Sequence, residues 1–359
     1  MRSLRGKLLP PVVAIVFSAL LCSVALIISG SNPAKALAVM VVQVGRDTTL
    51  VDIVNSASVY YLVGIAVAIG FKMNLFNIGV EGQYRIGAAL AAIVGGQLNM
   101  PPVIGQIVII LTAMVGGAAY AALPAILKVT RGVSEVITTI MLNAIAGGII
   151  ALLIKQGAFG VLNNNNISTK PIPSSNWIPG ISFGSAGTVF GLVLLAILVG
   201  VGYWVLLNRT RFGFELQASG ESPTAATAGG VDAKRMIVIA MLVSGAIAGL
   251  TALPEVLGRD HAYTLISPQG YGFTGIAVAL LGRNNPGGIA FGALLWAFLD
   301  QSAVSLDVIQ VPREIVTIMQ GAIVLSVVVS YEVIRRLELA AEQRRVGLQL
   351  AAATTGSAS

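Results

Sequence analysis

The sequence predicts an all-α membrane protein of about ten transmembrane helices, with both termini in the cytosol. Three observations predict it. Hydrophobic residues make up 56% of the 359 residues and charged residues 10%, against roughly 25% charged in a soluble domain, and the mean hydropathy is +0.87. The charges fall almost wholly between apolar stretches, as they must when an ionised side chain at a bilayer centre costs about 2.5–3.5 kcal/mol on insertion scales. The basic residues are also asymmetric: with the N-terminus inside, fifteen Lys and Arg fall in inside segments and six in outside ones, and that bias sets orientation.

A span needs about 20 residues. The stretches lie near 11–30, 50–70, 76–97, 102–123, 133–154, 186–207, 236–254, 271–282, 288–303 and 314–331. They leave no room for a soluble domain, so 1–335 reads as one transmembrane domain, 208–235 as a cytosolic loop within it and 336–359 as a cytosolic tail. The first stretch, Pro11 to Gly30, follows Arg2, Arg5 and Lys7 like a signal peptide. Its apolar run exceeds the usual h-region of about 7–15 residues, so it reads as a retained helix. Cys22 lies inside it and, as the lone cysteine, forms no internal disulfide. The eighth and ninth stretches are short, which suggests broken or tilted helices. The 41 glycines fit close helix approach in a membrane. The net charge of +7 needs only anionic lipid beside basic loops, with no nucleic acid.

Two connections are long. The external one, Lys155 to Ser185, holds Asn163 through Asn166, Pro171, Pro173, Trp177 and Pro179, a non-helical chemistry. It reads either as a surface for an external partner or as a solvated loop, with Trp177 at the interface. The cytosolic one, Asn208 to Arg235, contains a good N-cap in Ser222, Pro223 at the first helical position, and Gly229 and Gly230 as a stop. That spacing predicts a two-turn helix over Pro223 to Ala228. It carries no large apolar residue to pack on its own protein, so it reads as a docking element or as an ordinary loop helix. Spans 2–5 and 7–10 are equal sets separated by one helix, which makes the second an inverted repeat of the first, an arrangement that puts a solute route at the repeat interface.

Enzymatic machinery is missing. One His (His261) and one Cys leave no His-x-x-x-His or Cys-x-x-Cys spacing for a metal, and no lysine completes a Walker A loop. The polar residues inside spans carry more information. Segment Lys72 to Gly87 places Asn74, Asn77, Glu81, Gln83, Tyr84 and Arg85 among apolar residues. Such groups line a pathway or hold a partner helix; Glu81 and Arg85, four apart on one helix face, can neutralise each other. Gly79 and Gly82 weaken the helix there. In Gln269 to Gly288 the glycines at 270, 272 and 275 suggest an interrupted span that presents Phe273 and Thr274 to the route. Asn143 is a ligand contact or an interhelical hydrogen bond, and Glu135 is structural, at a helix start.

FNIGVEGQ (Phe76 to Gln83), GVSEVITTIMLN (Gly132 to Asn143) and GFTGIAVALLGRNNPGG (Gly272 to Gly288) resemble permease subunits of bacterial ABC importers. The resemblance is to the nucleoside-type group of the wider ribose and branched-chain amino acid permease family, and it covers roughly residues 50 to 330. RFGFELQASGESPTAATAGGV (Arg211 to Val231) is similar to that family's coupling loop. The resemblance implies an inner-membrane unit of two permease chains, this one with a paralogue or a second copy. It also implies two ATP-binding cassette subunits that bind ATP and Mg, so this chain holds no cofactor, and a substrate-binding lipoprotein outside. The ATPase would dock on Ser222, Pro223, Thr224, Ala225 and Ala226, flanked by Phe214 and Glu215. Pathway-lining positions would fall near Asn77, Glu81 and Phe273.

A route offering Asn, Gln, Thr, Phe and Tyr suits a neutral nucleoside, by stacking and hydrogen bonding, and suits simple sugars nearly as well. Branched-chain amino acids are a further cargo under the same mechanism. A proton- or ion-coupled transporter using Glu81 is the rival of another class.

Overall fold

The computed structural model describes residues 4–163 and 166–356, with side chains over 10–162 and 166–343. Asn164 and Asn165 of the external loop, Arg2, and the side chains of Arg5, Lys7, Arg344 and Arg345 lie outside the described residues. The chain forms two compact units, Met1–Val41 with Ser302–Ser359, and Val42–Gln301.

In the first unit α1 (Leu4–Ile28) lies along α14 (Arg313–Gly356). The Cys22 thiol donates to the Met319 carbonyl at 3.8 Å, and Leu26 and Met319 are buried. Ile15, Leu20 and Ile27 on α1 stay exposed, the condition of a helix whose surroundings are hydrocarbon. A helix the sequence reading did not include, α2 (Pro33–Val44), follows α1. Asn32 caps it, its side-chain oxygen accepting from Ala34 N at 2.9 Å, with Pro33 at the first helical position.

The second unit is built on α3 (Asp47–Lys72), which is apolar all round and buried from Leu62 to Gly70. On it pack α4 (Val80–Gln97), α7 (Val193–Arg209), α10 (Ala233–Leu250), α12 (Tyr271–Leu281) and α13 (Pro286–Val308), which continues beyond the unit, while α5 (Pro102–Arg131) packs on α4 and α10 and α6 (Glu135–Leu153) on α4 and α5. Glycine makes the tightest crossings possible. A Cβ on Gly117 of α5 would stand 2.1 Å from the Gly245 carbonyl of α10, and one on Gly249 would stand 2.0 Å from the Ala113 carbonyl. Gly245 and Gly249 are one turn apart, the small-xxx-small pattern of membrane helix pairs.

Every expected span overlaps a helix, but among the described residues seven helices, counting α1 and α14, are long and apolar enough to cross a bilayer. The other three are α4 with 18 residues, α7 with 17 and α12 with 11. Only Gly270, at φ 96°, opens a helix through left-handed backbone. Gly79 is in the right-handed helical region, and Gly82, Gly272 and Gly275 lie inside α4 and α12, so the expected weakening of the helix at Gly79 and Gly82 is not seen. Beyond α7 the chain bends by 73° into α8 (Arg211–Glu221), then forms α9 (Pro223–Ala228). After α10 a turn of helix, α11 (Leu253–Glu255), widens into a π-helical turn over Val256–Asp260.

The external connection carries two small hairpins, β1 (Gly160–Asn163) with β2 (Asn166–Thr169), and β3 (Ile181–Ser182) with β4 (Thr188–Val189). Its proline-rich middle is pinned by Trp177, whose indole donates to the Ile172 carbonyl at 2.9 Å and stacks on His261 at 3.5 Å. His261 takes a left-handed backbone, φ 51°. Burial against the indole lowers its imidazole pKa, with Asp260 pulling the other way.

Candidate functional site

The exposed elbow of α8 and α9 is built from caps. Thr210 closes the α7–α8 bend by accepting from Gly213 N at 3.1 Å, and a Cβ on Gly213 would meet the Leu206 carbonyl at 2.3 Å, so the bend admits only glycine there. Ser222 Oγ accepts from Ala225 N at 3.2 Å, with Pro223 at the first position. The helix has the bounds its spacing predicts. Phe214 is 70% exposed, Glu215 pairs with Arg211 at 2.6 Å, and Thr224 and Ala225 are exposed while Ala226 packs inward. The elbow thus offers a phenyl ring, a short helix with a small-residue face and a solvated ion pair.

This elbow is tied directly to the polar segment between α3 and α4. Gly220 approaches so closely that a Cβ would stand 2.6 Å from the Lys72 carbonyl. Asn74, in a left-handed turn at φ 55°, donates to the Gly220 carbonyl at 2.9 Å. Three residues on, Asn77 and Gln83 form a reciprocal amide pair with both bonds at 3.0 Å. Asn77 also donates to Ser244 Oγ at 2.9 Å, and Ser244 donates to the Ala66 carbonyl at 2.6 Å. One buried amide therefore joins α3, α4 and α10. Asn143 joins α6 to the same segment, donating to the Ile78 carbonyl at 3.0 Å and accepting from Gly82 N at 2.9 Å. Glu135 pairs with Lys128 and accepts from Phe76 N.

Glu81 completes the path. The first residue of α12 follows Gly270, at φ 96°, which has no side chain to cap a helix. Glu81 supplies the missing acceptor from the opposite half of the chain: its carboxylate accepts from Gly270 N and Gly272 N, both at 2.9 Å, and from the Tyr84 hydroxyl at 3.2 Å. A Cβ on Gly272 would stand 2.5 Å from Glu81 N, so the two backbones meet at a glycine. The starts of two short helices converge here, and an anion at a helix N-terminus is favourable. The expected neutralisation of Glu81 by Arg85 is replaced by this clamp, and the buried Nε of Arg85 has no hydrogen-bond partner.

The structure thus brings together Asn74, Asn77, Glu81, Gln83, Tyr84 and Asn143 as an internal hydrogen-bond system, with Asn77, Glu81, Gln83 and Tyr84 buried. Of the residues read as facing a route, Phe273 presents its ring outward, 55% exposed, and Thr274 is half-buried beside it. Of a second polar cluster the reading from sequence offered only Tyr271, as a stacking ring. Tyr271 donates to Glu255 at 2.9 Å and its ring lies 5.9 Å from that of Tyr60 and 5.7 Å from that of Tyr84. The Tyr60 hydroxyl donates to Asp300, and Glu255 pairs with Arg259 at 3.1 Å. The signal was present: Asp300 is a carboxylate within a span, and such groups are rarely idle.

The family described as the branched-chain amino acid transport system permease component matches residues 49–328. The chain is 31% identical over 346 residues to the nucleoside ABC transporter permease protein NupB of Lactococcus lactis, covering 90% of this chain and 92% of that protein. It is 32% identical over 334 residues to the guanosine ABC transporter permease protein NupP of Bacillus subtilis, covering 91% and 95%. A glucose ABC transporter permease protein of Haloferax volcanii, TsgB13, is 30% identical over 356 residues, covering 96% and 93%. No solved structure matches the chain.

Proposed function

The chain belongs to the branched-chain amino acid transport system permease family, and on that premise we propose that it is the membrane half of an ATP-driven importer of nucleosides. The observation that carries the cargo is the end-to-end likeness to two permeases named for nucleosides and guanosine, each covered over nine-tenths of its length. The work of ATP belongs to a separate cassette subunit that binds ATP and Mg and grips α9. A second permease chain completes the membrane unit, and a tethered binding protein delivers the solute on the far side of the inner membrane. The bias of basic residues puts the α8–α9 elbow in the cytosol.

The geometry supports a mechanical role for the polar segment. Force on α9 reaches Asn74 through the Gly220 carbonyl, then the Asn77–Gln83–Ser244 system, and then Glu81, which holds the start of α12. Rocking of the elbow therefore moves α12, whose exposed Phe273 offers a ring for a base to stack on. In this reading Glu81 positions a helix and does not carry protons. A sugar cargo is the second reading, favoured by the match to TsgB13 over 96% of the chain.

Uptake of labelled guanosine into proteoliposomes holding the complete complex tests the proposal. Adenosine should compete, whereas glucose, ribose and leucine should not. Competition by glucose alone would transfer the cargo to sugars.

A further inference from the structure

We infer a binding site for an anionic glycerophospholipid on the flank of the second unit, in a crevice between α3, α7 and α13. The crevice encloses about 500 Å³ and its walls include Tyr61, Val193, Ala196, Gly200, Trp204 and Leu294. It offers water little: its polar groups are the hydroxyls of Tyr61 and Ser58. The Ser58 hydroxyl on its wall is already spent on the Asn55 carbonyl at 2.7 Å, and a buried water needs two to four polar partners. All three walls belong to membrane helices, so the filling available is hydrocarbon.

Length and charge select the occupant. From Val193 to Trp204 the crevice follows α7 for about 16 Å at the rise of an α-helix, which is half of a hydrocarbon core of about 30 Å. That is the depth of one leaflet. One end carries the groups of a membrane interface: Trp204, 43% exposed, and the Arg209 guanidinium lying 5.4 Å from its ring centre. Tryptophan marks the headgroup level, and an arginine beside it attracts an anionic headgroup. The lipid comes from the leaflet at the elbow end, with its phosphate at Arg209, its glycerol at the indole and one acyl chain running toward Val54 and Val193. Two walls, α3 and α7, end in the Asn74 turn and the elbow, so the chain lies at the root of both. The site is independent of which solute is carried.

Native mass spectrometry of the purified complex from membranes containing phosphatidylglycerol and phosphatidylethanolamine tests the site. The wild type should retain phosphatidylglycerol. Ala290→Phe fills the crevice and should reduce retention at least tenfold. Arg209→Gln, at an exposed position, leaves the crevice open and should lower the preference for phosphatidylglycerol over phosphatidylethanolamine about fivefold, the effect of one arginine near an anionic surface. Leu294→Ala widens the crevice and should keep the lipid. An unchanged preference for phosphatidylglycerol in Arg209→Gln overturns the headgroup assignment whether or not Ala290→Phe folds. Loss of the second permease chain from Ala290→Phe, with no lipid found on the wild type, would make the crevice a subunit contact and overturn the proposal.

Discussion

Glu81→Gln keeps the side-chain shape and removes the charge that holds α12. The carboxylate now accepts two backbone N–H groups at 2.9 Å and the Tyr84 hydroxyl at 3.2 Å. A carboxamide has one acceptor oxygen, so one of the two N–H groups faces an NH₂ donor instead. A hydrogen bond to a charged group is worth about 1.5–3 kcal/mol, and an anion at a partly buried helix start contributes up to about 2 kcal/mol. The two terms describe overlapping physics, so their sum overstates the loss. A weakening of about 2 kcal/mol is expected, roughly a 30-fold fall in the ratio of docked to undocked α12. The assay is the reconstituted complex, measured in parallel for solute uptake, ATP hydrolysis and melting temperature. Uptake should fall several-fold while hydrolysis persists, and KM should hold because Glu81 is enclosed. A raised KM with an unchanged melting temperature would place Glu81 on the solute's path and refute the clamp. Wild-type uptake and melting together would refute any role for the carboxylate.

Three further perturbations separate the parts. Ala225→Arg adds bulk and charge to the exposed face of α9 and should abolish uptake without lowering the melting temperature, whereas Ala226→Arg, at a buried position, should destabilise the chain; equal melting of the two variants would count against the docking face. Gly272→Ala drives a Cβ to 2.5 Å from Glu81 N, a backbone contact that cannot yield cheaply, and should cost about 1–3 kcal/mol as overpacking; a melting temperature within error of wild type would show that the two helix starts lie further apart. The lowered His261 pKa means the unfolded chain binds the proton more readily. Its contribution is therefore whole above the unfolded value of about 6.5 and is lost as pH falls through the folded value. The drop in melting temperature from pH 7.5 to 5.5 should shrink in His261→Phe, which keeps the ring stack on Trp177, and an unchanged drop would sink the assignment.

What the sequence made legible was local. Helix α9 ends where predicted because Ser222, Pro223 and Gly229 act on their own neighbours. The apolar stretches coincide with helices because hydration of charge is a property of each residue alone. The polar residues of Lys72 to Gly87 were also recognisable as functional candidates, but their roles were not. Glu81 is answered by Gly270 and Gly272, 189 and 191 residues away, and the nearer Arg85 at i+4 offered a false solution. Nothing local announces that an N-cap glycine will borrow its acceptor from another helix. Two helices were missed for a different reason. Both Asn32-Pro33 before α2 and Thr210 before α8 are cap signals, but each lay in a segment read as connection, and the helices they open are too short or too polar to show as spans.

The central claim is that this chain is a gate without a motor, moved through α9 by an ATPase. Proteoliposomes containing the chain alone, and then the chain with its cassette subunit, second permease and binding protein, test it most directly under an imposed proton gradient and with internal ATP. The account predicts no accumulation of nucleoside by the chain alone under either condition, and accumulation by the full set only with ATP. Accumulation driven by the proton gradient in the absence of the cassette subunit would contradict it.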